Sequence, residues 1–350
     1  PPPCPDIGTH AEPGRTPAPA SEARVTALLA DTSVVIPVKD DPLVVQCVAS
    51  VDEDVEIVLA LNGADEATHR RIRALDRPVR VAEIDEPNLG AAYNAAIDAA
   101  GRRHVLLMDS DCVFLPGTIR ALAEAVADHP VVKGRVRFRS ARGRLSRWIE
   151  QSRSFQIADH VNAYSPPLIY DRDIVDRIGG YHYSGLIHWE EDREFDFRLQ
   201  LAGIPVAYLP DAVVEHAPQS GLTDLRSGLR YGIGEGIGQE LGLFPTPRMR
   251  WRLANDLGSI VSIGRRKGPG PAFYRTAWLT SYHLGTLYQH LRDPYGVRPH
   301  YPRTARRVRA HPGVPGHSTL LSGEQRALLR ASHERQGRRI TSGPQGRVPS

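Results

Sequence analysis

The chain is short of the residues that staple or anchor a fold. Its 350 residues include 3 cysteines, Cys4, Cys47 and Cys112, an odd set without metal-ligand spacing. That excludes a disulfide framework and a zinc cluster, and it fits a reducing compartment. No stretch reaches the roughly 18 consecutive apolar residues of a membrane-spanning helix. The proline-rich start also lacks the apolar segment of a secretory signal, so the expected location is the cytosol. Lysine is scarce as well, with only Lys39, Lys133 and Lys267 among 44 basic residues. The remainder is arginine, whose planar fork suits phosphate and carboxylate partners. What is there is a globular composition, 41% hydrophobic and 24% charged with a net charge of +4, enough for one large or two ordinary domains.

Residues 1–30 read as a proline-rich leader too poor in large apolar side chains to pack. From Thr32 the pattern changes to Ser-Val-Val-Ile-Pro-Val, a buried strand, followed by the turn Lys39-Asp40-Asp41-Pro42 and an apolar helix over 43–51. A second strand over 55–61 ends at Asn62-Gly63, a charged helix follows over 65–75, and a short strand covers 79–84. An alanine-rich helix over 90–100 leads into a fourth strand, His-Val-Leu-Leu-Met-Asp-Ser-Asp-Cys-Val-Phe, over 104–114. Strands alternating with helices predict an α/β fold, a mainly parallel sheet flanked by helices. Ligands of such sheets bind beyond the carboxyl ends of the strands, where Pro37, Lys39, Asn62 and Asp109 to Asp111 all fall.

The second part is less regular. Residues 131–138 alternate, with Lys133, Arg135 and Arg137 on one wet, basic face. A helix is expected over 145–157 and loops over 162–185. Glu190, Glu191 and Asp192 then open a helix that stops at Gly203, and a strand over 206–214 delivers Glu215 and His216 at its end. The glycine-rich run over 225–241 permits close backbone approach. Amphipathic helices over 249–263 and 272–291 pack on the core or lie on a membrane surface, packing being the more frequent outcome. The expected organisation is one domain over 31–224, in halves 31–130 and 131–224, a helical extension over 225–295 and a basic, partly disordered tail over 296–350.

Chemistry concentrates at Asp109-Ser110-Asp111. In an extended strand these two carboxylates point to one side and Ser110 to the other. Convergent carboxylates repel unless a cation sits between them, and a hard divalent ion that bridges to phosphate is the economical occupant. The competing reading is a turn that caps the helix starting near Pro116.

The order Val34-Val-Ile-Pro37, Glu56-Ile-Val, Asn88-Leu-Gly-Ala-Ala-Tyr-Asn94, Asp109-Ser-Asp111, Glu191-Asp192 with Phe195 and Arg198, and a strand-end His216 resembles the family 2 glycosyltransferases of GT-A fold. The likeness runs from about Thr32 to His216. It implies a nucleotide-diphosphate sugar donor in the first half, an acceptor in the second, Mn2+ or Mg2+, and inversion by single displacement. Asp111 and His216 then hold the metal, with Asp109 turned to ribose or metal. Asp192 is the candidate base, with Glu191 next in line, or binding acceptor or ordering the loop. Pro37, Lys39, Asn62, Asn88, Gly90, Asn94, Asp109, Ser110 and Asp111 are expected to line the donor; Trp189, Glu190 and Tyr183 are expected at the acceptor. Asn62 stands where relatives carry an aspartate toward uracil N3. Its side-chain oxygen can still accept that proton, so a UDP-sugar is the expected donor.

Two other readings compete. A sugar nucleotidyltransferase shares the architecture, but its phosphate loop after the first strand carries glycines, and Pro37-Val-Lys-Asp-Asp-Pro42 has none. A noncatalytic, arginine-rich binder of nucleic acid or a membrane surface would keep the fold without the activity. The acceptor, whether natural product, peptide, glycan or lipid-linked, is not specified by any motif.

Overall fold

A computed structural model describes residues 22–85, 87–155, 161–241 and 249–297. In chain order the elements are α1 (Glu22–Ala30), β1 (Thr32–Val38), α2 (Val44–Ala49), β2 (Glu56–Asn62), α3 (Glu66–Arg73), β3 (Arg80–Ile84), α4 (Leu89–Ala99), β4 (His104–Leu107), β5 (Cys112–Phe114) and α5 (Thr118–Val126). There follow β6 (Val131–Phe138), α6 (Arg144–Arg153), β7 (Leu168–Asp171), a 3-10 turn (Arg172–Arg177), α7 (Glu191–Leu201), β8 (Ala207–His216), α8 (Gly221–Leu241), α9 (Met249–Lys267) and α10 (Pro269–Arg292).

The 8-stranded sheet has the order β3-β2-β1-β4-β7-β6-β8-β5. β3, β2, β1 and β4 are parallel, β7 runs against both β4 and β6, and β5 runs against β8. The apolar runs are buried on both faces, and the period of 2 sorts them into two cores. Val34, Ile36, Val38, Ile57, Leu59, Leu61 and Leu106 face one side. Val35, Val58, Ala60, Val105 and Leu107 face the other, against Ala92, Ala96 and Ile97 of α4 and Phe195 and Leu199 of α7.

Several expectations need correction. The unpacked leader expected over 1–30 fails for residues 22–30, because Glu22–Ala30 is a helix that buries Val25 and Leu29 and ties Glu22 to Arg120 of α5, while residues 1–21 lie outside the described residues. The stretch over 104–114 is two strands, since the chain turns at Ser110 and the Cys112 N–H bonds back to the Asp109 carbonyl. The helix after it starts at Thr118 behind Gly117, whose N–H is met by Asp52, so the aspartates near the turn do not cap it. The loop expected over 162–185 contains β7. The boundary expected at 224/225 falls inside α8, and the tail from 298 on lies outside the described residues.

The glycine run forms one continuous helix that crosses α10 at backbone contact. A Cβ on Gly232 would overlap the Tyr282 carbonyl oxygen, and one on Gly285 the Leu229 carbonyl oxygen. Neither carbonyl can retreat, since each belongs to a helix backbone. Gly285→Ala is therefore expected to lower stability by about 1–3 kcal/mol through overpacking, read as a lower urea midpoint. Gly264→Ala, whose Cβ would meet only Ala272 Cβ at 3.4 Å, is the control: helix propensity favours it by up to about 1 kcal/mol. Equal midpoint losses in both variants would remove the helix-crossing argument.

Candidate active site

Strand pairing assembles the first half of the site. β5 and β8 pair with Cys112 opposite His216, and the Ala217 N–H donates to the Asp111 carbonyl at 2.9 Å. This register brings His216 Nε2 to 3.3 Å from Asp111 Oδ2. His216 Nδ1 lies 2.8 Å from the Ala217 carbonyl oxygen. A carbonyl only accepts, so Nδ1 carries the proton and Nε2 presents a lone pair, the tautomer a metal-ligating histidine needs. Cys112 Sγ completes a group whose ligand atoms lie within 4.8 Å of one another. Burial, and then the charges of Asp109 and Asp111, push the Cys112 thiol well above its ordinary range. The oxygen and imidazole donors are thus the ones suited to a hard divalent cation. Asp109 turns the other way and accepts from Tyr93 Oη at 3.1 Å. Burial first and Asp111 second push its carboxyl up to about 6, against the pull of His216 and Tyr93.

The second half is the loop entering α7. Trp189 and Glu190 both adopt left-handed φ, 64° and 63°. Such conformations are rare for side chains of this size and persist only when neighbours impose them. Here α8 and the segment after α10 do so. Gly234 of α8 leaves room for the His188 and Trp189 carbonyl oxygens, 2.6 and 2.7 Å from where its Cβ would sit. Tyr295 stacks on His188 at 4.1 Å and accepts from Trp189 Nε1 at 3.2 Å. Arg193 pairs with Glu235 of α8 and lies 3.6 Å from Glu190.

Crowding of carboxylates raises their proton affinities. Asp192 is pushed up to about 7, chiefly by burial and further by Asp109, against the Arg193 N–H that it accepts at 2.7 Å and the charge of Lys133. Glu190 rises to about 8, by burial and by Glu235 and Asp192, with Arg193 opposing. Glu191 is 4% exposed, its Oε2 has no partner, and burial followed by the Asp192 charge hold it well above the carboxylate range. Of Glu190, Glu191 and Asp192, Asp192 is therefore the one whose ionised form is accessible near neutral pH, although not with the ordinary aspartate affinity that its residue type alone suggests.

The other expected residues have assorted settings. Pro37 is buried in β1 opposite Ala60, Lys39 is exposed, and Ser110 donates to Asp41 at 2.7 Å. Asn62 Oδ1 already accepts the Asn88 N–H at 2.7 Å, leaving one lone pair. Asn88 caps α4 by accepting the Ala91 N–H and donates to the Gly185 carbonyl. Asn94 exchanges both amide bonds with the backbone of Tyr183, and the space beside Gly90 holds the Ser184 carbonyl rather than open cleft. These α4 residues thus anchor the 183–185 loop. Tyr183 itself is 1% exposed, stacked on Phe195 and against Tyr93, so burial removes it from the acceptor surface. Glu194 and Arg198 form a buried pair, and Arg198 also holds the carbonyls of Ile178, Tyr181 and His182.

Lys133 departs from the wet face expected for it. It turns inward, donates to the carbonyls of Tyr164 and Pro166, and is pushed down to about 8 by burial, with Asp192 and Asp109 opposing. β6 runs from a buried to an exposed end, so only Arg135 and Arg137 keep the solvated setting. Tyr93, Lys133, Arg193 and Glu235 are the site residues the pattern did not flag. Glu235, an acidic residue between Gly234 and Gly236, was the available signal. A cavity of about 540 Å³ lined by Glu56, Arg80 and Arg102 shares no residue with the site.

No curated protein matches the chain. Among solved structures, S. aureus TarS 1-349 is 16% identical, with a TM-score of 0.43 over 74% of this chain and 91% of that one. The same protein in complex with UDP-GlcNAc gives 15% and 0.42, with coverages of 74% and 91%. The mannosyltransferase PcManGT from Pyrobaculum calidifontis, in complex with GDP-Man and Mn2+, is 16% identical, with a TM-score of 0.45 over 89% of this chain and 85% of that one. Residues 33–182, from β1 through β7 to the loop before α7, match the family described as Glycosyl transferase family 2. The match stops short of Asp192 and His216, whose placement comes from the geometry, and the likeness to family 2 glycosyltransferases is a property of the stretch it covers.

Proposed function

We propose that this protein is a glycosyltransferase that moves a sugar from a nucleotide-diphosphate donor, a UDP-sugar, to an acceptor hydroxyl by metal-dependent single displacement with inversion. The observation that carries the reading is the Asp111–His216 pair at 3.3 Å, with Nδ1 committed to the Ala217 carbonyl and Nε2 turned to the carboxylate, 3.4 Å from the Gln219 amide nitrogen that a cation would displace. Asp111 and His216 would hold Mn2+ or Mg2+; Asp109, expected as a further ligand, is engaged by Tyr93 and lies outside that group. When bound, the cation neutralises the diphosphate leaving group.

The chain's own residues supply the rest. Asp192 accepts the acceptor proton as the new bond forms, and its Oδ1 is oriented by the Arg193 N–H. Arg193 is fixed in turn by Glu235, so the base is positioned from α8. Glu191, whose carboxyl burial and the Asp192 charge raise, keeps an Oε2 without a partner beside the base. The remaining lone pair of Asn62 is placed for a nucleobase N–H. Trp189 and Glu190 lie at the mouth of the α7 loop, where an acceptor would enter.

Asp192 acts only when ionised. With its carboxyl at about 7, kcat/KM is expected to rise as pH increases through 7 and to level off above it; a flat profile from pH 5.5 to 8.5 would remove Asp192 as base. Asp192→Asn should lower transfer on the order of 10²–10⁴-fold while nucleotide-sugar binding persists. Full activity in that variant would hand the role to Glu191. Chelation should abolish transfer and Mn2+ or Mg2+ restore it. His216→Ala should raise the metal concentration for half-maximal activity by about 10–100-fold, the range known for disturbed metal sites. A screen of UDP- and GDP-sugars by calorimetry with each metal checks the donor, and absence of binding by all of them overturns it.

A further inference from the structure

The last two helices expose an apolar face that no described residue covers. On α9, Leu253, Leu257 and Val261 recur every fourth residue and are 50%, 61% and 49% exposed. On α10, Leu284, Leu287 and Leu291 are 54%, 52% and 68% exposed, and Phe273, near its start, is 71% exposed. The helices meet where His283 Nε2 bonds Asp256 Oδ2 at 2.7 Å. Counted from that contact at about 100° per residue, Leu257 and Leu284 each turn one step to the same side of the antiparallel pair, and the other stripe residues stay with them. The opposite side of α10, with Tyr282, Gly285 and Gln289, packs on α8. The two stripes therefore form one continuous surface directed away from the core.

Charge on this hairpin has one sign. Asp256 is the one acidic residue in α9 and α10, and it is bound to His283, whereas the two helices contain seven arginines and lysines. Arg265, Arg266 and Lys267 are exposed at the end of α9, close in sequence to Phe273. No described helix is long and apolar enough to cross a membrane. An apolar face edged by cations, without spanning length, is the composition of a helix that lies in the headgroup plane.

We propose that the outer face of α9 and α10 is a docking surface for an anionic lipid bilayer, with both helices parallel to the membrane. A second copy would present the same excess of positive charge, so the charge favours an anionic lipid surface. The α9–α10 layer and then α8, helices of about 10 Å diameter each, separate the bilayer from the His188–Trp189 backbone that Gly234 contacts. The proposal does not rest on the sugar-transfer reading and holds whichever donor the site takes.

Cosedimentation of the full chain with vesicles tests it. Binding to vesicles of phosphatidylglycerol and phosphatidylcholine is expected to exceed binding to phosphatidylcholine alone at least tenfold and to weaken in high salt. Leu257→Glu with Leu287→Glu should reduce binding at least tenfold, with an unchanged melting curve. Arg265→Glu with Arg266→Glu should do so without touching the apolar stripe. Light scattering without lipid should give one mass for wild type and variants. No binding of the wild type to anionic vesicles, equal binding to both vesicle types, or full binding by both double variants overturns the proposal. So does a wild-type dimer that the leucine variant turns into a monomer, which would make this face a self-association surface.

Discussion

Mutual repulsion among Asp109, Asp111, Glu190, Glu191 and Asp192 is the constraint the rest of the structure answers. Asp109, Glu190, Glu191 and Asp192 are raised by burial, and the rise is compounded by neighbouring carboxylates. A fold that only had to be stable would replace such a cluster with apolar side chains. This one keeps it and surrounds it with specific counterweights: Tyr93 on Asp109, His216 beside Asp111, Lys133 among the carbonyls of 164 and 166, and Arg193 at the entrance of α7. The protonation range that results, about 6 for Asp109 to about 8 for Glu190, gives adjacent carboxyls different states near neutrality. That separation is how chemically similar groups come to have different jobs.

The helical extension belongs to this arrangement rather than hanging from it. Glycines in α8 let α10 approach on one side and the 188–189 carbonyls on another, and Glu235 sits between them on Arg193. Arg252 of α9 reaches the same carboxylate at 3.2 Å, and Tyr282 of α10 donates to it also at 3.2 Å. Three helices thus converge on the residue that holds Arg193, the neighbour of the proposed base Asp192. The left-handed turn at Trp189 and Glu190 is the local cost of presenting Asp192 from a helix start, and it is offset by contacts from outside the catalytic sheet.

Much of this was legible in one dimension. Buried strands announce themselves as runs such as Val34-Val-Ile, and β1, β2, β6 and β8 fall within a residue or two of where their patterns end. The ordered motifs led to Asp111, Asp192 and His216 because strand ends and a helix start are local features. What escaped was set by distant partners. β7 is four residues behind two prolines, and its identity as a strand depends on β4 and β6 pairing with it. Lys133 alternates with its neighbours like a surface lysine, and only the loop that ends at Pro167 turns it inward. Tyr183 has the composition of a sugar platform, yet Tyr93 and Phe195 enclose it. Asn88, Gly90 and Asn94 cluster as a motif should, but they spend their contacts on the 183–185 loop.

The pairing of β5 with β8 has a consequence in time. Asp111 leaves the ribosome well before His216, and the two meet only when β8 has aligned against a strand of three residues. A slip of one position would send the imidazole to the other face of the sheet. During synthesis the first half of the sheet can collapse on its own apolar runs while its acidic turn still lacks the histidine, so the Asp111–His216 pair is finished late, by the segment that also introduces α8. Correct strand alignment and competence to coordinate are therefore acquired in one event.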